Sequence, residues 1–201
     1  LGRGPAGRFW HGSVADYVVH HLTVPVLLVH PHEESARLAD AAFGGVLVAL
    51  DLSADSEAIL EPAAELARLT QAPLTLMHVV VEPVFAMGEY IGPTSQQQES
   101  ESLETRRVEA LGRLEQIADR LRERGLRVTT RVTPGISAAV TLHEAFRSSE
   151  FDVLAMTTHG ATGLRRLWMG SVADQLVRGA TKPVLILRPP VHHLPRPGEK
   201  P

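Results

Sequence analysis

The sequence predicts an α/β domain built on a doubly wound, five-stranded parallel sheet, and three observations carry that reading. Short, almost wholly apolar runs alternate with helix-patterned segments over residues 44–188, as they must when crossover helices cover both faces of a parallel sheet. Turn-forming residues punctuate the alternation. The stretch Gly2–Val29 also recurs as Gly160–Leu187 at a constant offset of 158, with Arg8, Trp10, the run Gly12-Ser13-Val14-Ala15-Asp16, Thr23 and Pro25-Val26-Leu27 all meeting identical partners. A gapless repeat of this kind is the mark of similar units in tandem. It divides the chain into a C-terminal remnant of a first domain (1–29), a linker (30–43), a complete domain (44–188) and a flexible tail (189–201). The chain opens on Leu1 in mid-motif, so truncation at the N-terminus is expected.

Within the complete domain, Gly45–Asp51 (GVLVALD) reads as the first buried strand. Ser53 is placed to cap the next helix, with Asp55 and Glu57 in its first turn. Ile59, Ala63, Leu66 and Ala67 give that helix its buried stripe, and Pro62 kinks it or confines its regular part to the residues beyond the proline. Leu74–Val81 is a second buried strand. Residues 82 to about 101 carry Pro, Gly and Gln without a period, which predicts a long loop. Leu103, Ala110, Leu111, Leu114, Ile117, Ala118 and Leu121 mark an amphipathic helix closed by Gly125. Alternation from Leu126 to Val132 suits a half-exposed edge strand. A short helix around Ala139–Phe146, a strand at Phe151–Thr157, a helix from Gly170 and a strand at Val184–Leu187 complete the order βαβαβαβαβ.

Composition narrows the function. The net charge of −3 gives no electrostatic reason to expect nucleic acid, and acids interleave the arginines of 106–127 as on a solvated helix face. No apolar run approaches the ~18 residues of a membrane span. The chain has no cysteine, which excludes disulfides, thiol catalysis and Cys-ligated zinc, and fits a reducing cytoplasm. His20-His21, His30/His32 and His192-His193 fall in helix, linker and tail and assign no metal site. Gly2–Gly7 satisfies GxGxxG by chance, since Pro5 interrupts it and no strand precedes it.

The chemistry gathers where three strands end: Ala49-Leu50-Asp51, His78-Val79-Val80 and Thr157-Thr158-His159-Gly160. Ligands of doubly wound sheets bind beyond these carboxyl ends. After Gly160, nine residues lead to Gly170-Ser171 at a helix start. Glycine lets backbone approach a phosphate, and a helix N-terminus supplies free N–H groups and a positive dipole end. No Walker sequence GxxxxGK(S/T) occurs. Taken singly, Asp51 could serve only its own helix and Gly170-Ser171 could be an ordinary turn and cap; the spacing after a strand is what points to phosphate. His159 reads as a loop histidine, and Trp10 and Trp168, at matching places in the repeat, as packing residues.

On these residues the domain resembles the universal stress protein family, whose nucleotide signature is Gly, two residues, Gly, nine residues, Gly-Ser/Thr. It falls here on Thr157, Gly160, Gly170 and Ser171, three of the four positions matching and Thr157 departing. The resemblance implies a Rossmann-like, adenine nucleotide alpha hydrolase-like sheet with strand order 3-2-1-4-5. It implies ATP as the ligand, with magnesium as an optional companion. Asp51 would contact the adenosine part, Ala49 and Val79 would line the base pocket, and Gly160, Gly170, Ser171 and Val172 would hold the phosphates. A cytoplasmic stress-response protein is the function it implies, and since no nucleophile–base pair, metal cluster or carboxylate pair stands out among the residues, no catalysis is expected. The last strands, 24–29 and 184–187, would pair antiparallel as an intramolecular pseudo-dimer or a homodimer. A nucleotide-free interaction or dimerisation module, and a regulatory tail of a larger transporter or kinase, remain as alternatives.

Overall fold

The computed structural model describes residues 22–29, 44–82, 93–158 and 169–189, with backbone alone for 93–100. The expectations for Trp10, the 30–43 linker, His159, Gly160, Trp168 and nearly all of the tail lie outside the described residues. Among those described, the strands are β1 (Val26–Leu28), β2 (Val46–Ala49), β3 (Leu74–Val81), β4 (Val128–Gly135), β5 (Val153–Thr157) and β6 (Val184–Leu187). The helices, numbered along the described chain, are α1 (Ala54–Glu57), α2 (Leu60–Thr70), α3 (Pro93–Arg122), α4 (Ala138–Phe146) and α5 (Ser171–Gly179).

One six-stranded sheet runs in the order β1-β6-β5-β2-β3-β4. This corrects the five-stranded sheet read from the sequence. The order 3-2-1-4-5, counted from β2, describes only the five parallel members, and β1 is added antiparallel beyond β6. The sixth strand has a physical reason: Val184–Leu187 is buried along its whole length, and an uncovered apolar edge would be open to pairing with another chain. The pairing sets Val26 against Ile186, Leu27 against Leu185 and Leu28 against Val184. In the 158-residue repeat Leu27 corresponds to Leu185, so the register is that of a local two-fold axis through this pair.

Alternate residues of the sheet feed two cores. Val46, Val48, Leu74, Leu76, Val153 and Ala155 pack with Ala63 and Ala67 of α2 and Leu114, Ile117 and Leu121 of α3. Leu47, Met77, Val79, Leu154, Met156, Val184 and Ile186 pack with Leu142 and Phe146 of α4 and Leu176 and Val177 of α5. Leu28 of β1 joins this second core. β4 lies at the opposite edge and alternates in exposure, and its Pro134 is tolerated there because an edge needs fewer ladder donors.

Local details tie sequence to geometry. Ser53 caps α1, its Oγ accepting from the Ser56 N–H at 3.1 Å. The expected kink is a break: α1 stops at Glu57, α2 begins at Leu60, and Pro62 sits in the first turn of α2, where a missing N–H is harmless. α3 begins at Pro93, which corrects the loop expected to run to about residue 101. Its first turns carry no apolar period, yet Pro suits a helix start, and Gln and Glu are good helix formers. Its end is a Schellman turn, with Leu126 N–H donating to Leu121 O, Gly125 N–H to Arg122 O, and Gly125 at φ +82°.

The Lys182 ammonium, just before β6, donates to the carbonyls of Phe146 (3.2 Å), Ser148 (2.6 Å) and Phe151 (2.8 Å). It thereby ties the end of α4 to the approach to β5. Lys182→Met keeps the stem but strands three carbonyls, and is expected to cost about 2–4 kcal/mol, read as a lower urea midpoint at unchanged slope. A second expectation concerns acid. The Glu115 carboxyl accepts from the Thr130 hydroxyl and from Arg122, which in that order hold it below its usual 4.5 against the opposing effect of burial. A carboxyl so held adds stability above its unfolded value and loses it as pH falls through the lowered folded value. Glu115→Gln should therefore lose less stability than the parent between pH 4.5 and the acid transition, measured by urea unfolding at stepped pH.

Candidate functional site

β2 and β5 are neighbours in the sheet, yet the chain leaves β2 for α1 and α2 on one face and enters β5 from α4 on the other. Helices diverge at such a switch point and open a crevice beyond the strand ends. A cavity of about 360 Å³ lies there. Ala49, Asp51, Val79, Thr157, Gly170, Ser171 and Val172, picked from the sequence, all line it. Gly160 lies outside the described residues.

Each reaches the cavity for a local reason. Ala49 ends β2, and Leu50 comes next with its N–H bonded to Met77 O at 2.9 Å. Asp51 is exposed, and its Oδ1 accepts from the N–H of Ser53 (3.0 Å) and from the Ser53 hydroxyl (2.5 Å). The intervening Leu52 takes a left-handed conformation at φ +66°, which turns the chain sharply into α1 and holds Asp51 at the rim. Val79 is buried near the end of β3. Thr157 closes β5 and is 8% exposed, and Thr158 beyond it is 1% exposed.

The wall at the start of α5 is built on a short relay. Thr158 N–H donates to Leu187 O at 3.0 Å, Gly170 N–H donates to Thr158 O at 2.8 Å, and Asp174 N–H donates to Gly170 O at 2.9 Å. The first pins β5 to β6, the second brings the start of α5 against the end of β5, and the third begins the helical ladder. Gly170 is the cap residue of α5 in extended geometry, and no side chain serves as the cap. The first N–H groups of a helix lack intrahelical partners, so those of α5 stand at the cavity with the positive end of the helix dipole behind them. No lysine or arginine is among the described lining residues. The polar groups that α5 brings to this wall are its first backbone N–H groups and the Ser171 hydroxyl.

Several lining residues were not singled out from the sequence. Leu50, His78 and Thr158 lay inside the three strand-end segments, but Ser56, Val81, Ala138, Leu142, Met156, Ala173 and Leu176 did not. Strand parity could have found Val81 and the buried stripe of α4 could have found Leu142, since each lies on a face already committed to the second core. Ser56 had no such signal: it is 2% exposed because its hydroxyl donates back to Ser53 O at 2.9 Å. The result is an apolar slot between α4, α5 and the sheet, with polar groups at its mouth. Small-molecule sites generally have this constitution.

Comparison with known proteins agrees with the fold. The model of the universal stress protein family matches residues 43–188. A universal stress protein of Mycolicibacterium smegmatis is 30% identical over 190 residues, covering 94% of this chain, which spans 59% of that relative's length. Universal stress protein YxiE of Bacillus subtilis is 29% identical over 148 residues, 73% of this chain and 99% of its own. Among solved structures, universal stress protein UspA from Lactobacillus plantarum superposes with a TM-score of 0.64 at 23% identity, covering 74% of this chain and all of that one. A universal stress protein from Archaeoglobus fulgidus gives 0.58 at 21% identity over 89% of this chain and 55% of its own. The switch-point cavity, the α5 cradle and a family match that spans the whole parallel sheet converge: this chain belongs to the universal stress protein family.

Proposed function

We propose that this chain binds ATP in the switch-point cavity and acts as a nucleotide-responsive component of a stress response, without catalysing a reaction. The observation that carries the reading is the convergence of seven sequence-picked residues on one cavity closed by the N-terminus of α5. In this reading the adenine enters the apolar slot between Ala49 and Val79. Asp51, held at the rim by its bonds to Ser53, accepts from the ribose hydroxyls. The phosphates, with magnesium where present, lie against Gly170, Ser171 and Val172, and Gly160 belongs to the same loop. A cytoplasmic setting is part of the proposal; among the described residues no helix is long and apolar enough to cross a membrane.

The tandem arrangement is proposed likewise. β1 is the last strand of a first, similar domain, and its antiparallel pairing with β6 in a symmetric register supports a pseudo-dimer within one chain. One observation favours the alternative of a nucleotide-free interaction module. Thr157 stands where the family signature has glycine, and it lines the cavity.

Ligand at 100 times its dissociation constant stabilises by about 2.7 kcal/mol, which for a chain of this size raises Tm by roughly 5–10 °C. Thermal unfolding with ATP and magnesium should show that rise and a smaller one with GTP; no rise refutes the proposal. Asp51→Ala and Gly170→Val should each abolish the shift while the proteins stay folded by circular dichroism. Gly170 adopts φ −66° and ψ 150°, a conformation open to valine. Thr157→Gly should tighten ATP binding in calorimetric titration at a small entropic cost to stability. Unchanged or weaker binding would show that the threonine fits beside the nucleotide.

A further inference from the structure

A second cleft, of about 270 Å³, lies between β3 and α3. Its α3 wall is Arg106, Glu109, Ala110 and Arg113, spaced i, i+3, i+4 and i+7 and so on one stripe of the helix. Facing them are Leu52, Val80 and His78. The arginines of this wall are in different states. Arg113 donates through Nη2 to Leu52 O at 2.8 Å, which fixes its guanidinium while leaving its other donors. Arg106 has no hydrogen-bond or ion-pair partner among the described residues, although Glu109 is one turn away. Arg107, Arg120 and Arg122 of the same helix all pair with carboxylates. His78 Nδ1 carries its proton toward Leu50 O at 2.8 Å, since a carbonyl only accepts; Nε2 is the ring's remaining polar atom.

Two guanidiniums against one carboxylate leave the wall net positive, and the opposing side is largely apolar. We propose that this cleft is a second ligand site, for a small phosphomonoester with an apolar body. Its phosphate takes the fork of Arg106 and the unused donors of Arg113, a geometry in which arginine serves phosphate oxygens two at a time. A phosphate hydroxyl donates to His78 Nε2, the ring nitrogen not engaged with Leu50 O. The apolar body lies on Leu52, Val80 and Ala110. The site is separate from the nucleotide reading: its anion is held by side chains of α3, whereas the switch-point cavity offers the backbone of α5. His78, Val79 and Val81 border both cavities, so an occupant of one touches the strand that walls the other.

Phenyl phosphate is a suitable probe. Calorimetric titration into the Gly170→Val protein, whose α5 cradle is obstructed, should show saturable binding. Arg106→Gln in that background should weaken it about tenfold, the loss of a charge-assisted contact, and inorganic phosphate, lacking the apolar body, should bind more weakly than phenyl phosphate. Arg106 is exposed and without a partner among the described residues, so its replacement leaves the fold undisturbed. Should Gly170→Val fail to fold, the same titration into the unmodified protein with saturating ATP replaces it. Phenyl phosphate must then bind without displacing ATP and still depend on Arg106. Absence of saturable binding, equal affinity in the Arg106→Gln protein, or competition with ATP overturns the proposal. Failure of ATP to bind at all would leave the Arg106 dependence readable and would count only against the nucleotide reading.

Discussion

The structure depends on the burial of its two central strands from both faces. Val46, Leu47 and Val48 of β2 and Val153, Leu154 and Ala155 of β5 are wholly inaccessible to solvent. Backbone N–H and C=O groups so placed must be paired, so each strand needs a hydrogen-bonded neighbour on both sides, and β2 has β3 and β5. Each face in turn needs a helical layer, which α2 and α3 supply on one side and α4 and α5 on the other. With the faces and edges committed, polar groups can emerge from the centre of the sheet only at the strand ends. The cavity is a consequence of that confinement and of the change of winding between β2 and β5.

At that end of the sheet, main-chain bonds fix the chemistry more than side chains do. Thr158, Gly170 and Leu187 are joined through their amides and carbonyls, so the two ends of the segment 159–169 are held together whatever the residues between them are. Ser171, Val172 and Ala173 then form the first turn of α5, running from exposed to buried. The hydroxyl thus faces the mouth, and the alanine joins the core with Leu176 and Val177. One helix start serves the wall of the cavity and the packing of the second core.

Much of this was legible in the sequence because burial leaves a period. Leu74–Val81 and Val184–Leu187 were readable to the residue, since an apolar run ended by turn formers has few other interpretations. Ser53 announced its cap and Gly125 its turn. The first turns of α3 were not legible. They carry no apolar stripe, and helix propensity alone leaves no period to count. The strand total was misread for a different reason: β1 was expected to pair antiparallel with β6, and does, but it was counted with a separate domain, although the ladder makes it the sixth strand of the same sheet. Asp51, Val79 and Gly170-Ser171 were found because their spacing after strands is set by backbone geometry. The walls made by Ala138, Leu142, Met156 and Leu176 depend on how α4 and α5 settle on the sheet, which no single segment encodes.

The symmetric register of β1 on β6 has a bearing on assembly. Val26-Leu27-Leu28 and Val184-Leu185-Ile186 are near-copies paired about the Leu27–Leu185 step, so the edge of β6 offers the same apolar pattern and ladder to β1 as to the β6 of another molecule. The distinction between them is the tether. A strand on the same chain is present at an effective concentration on the order of millimolar, whereas a strand from another molecule must compete at its bulk concentration. Pairing at this edge is therefore governed by mass action, and a cut between β1 and β2 would turn an intramolecular ladder into one whose occupancy varies with dilution.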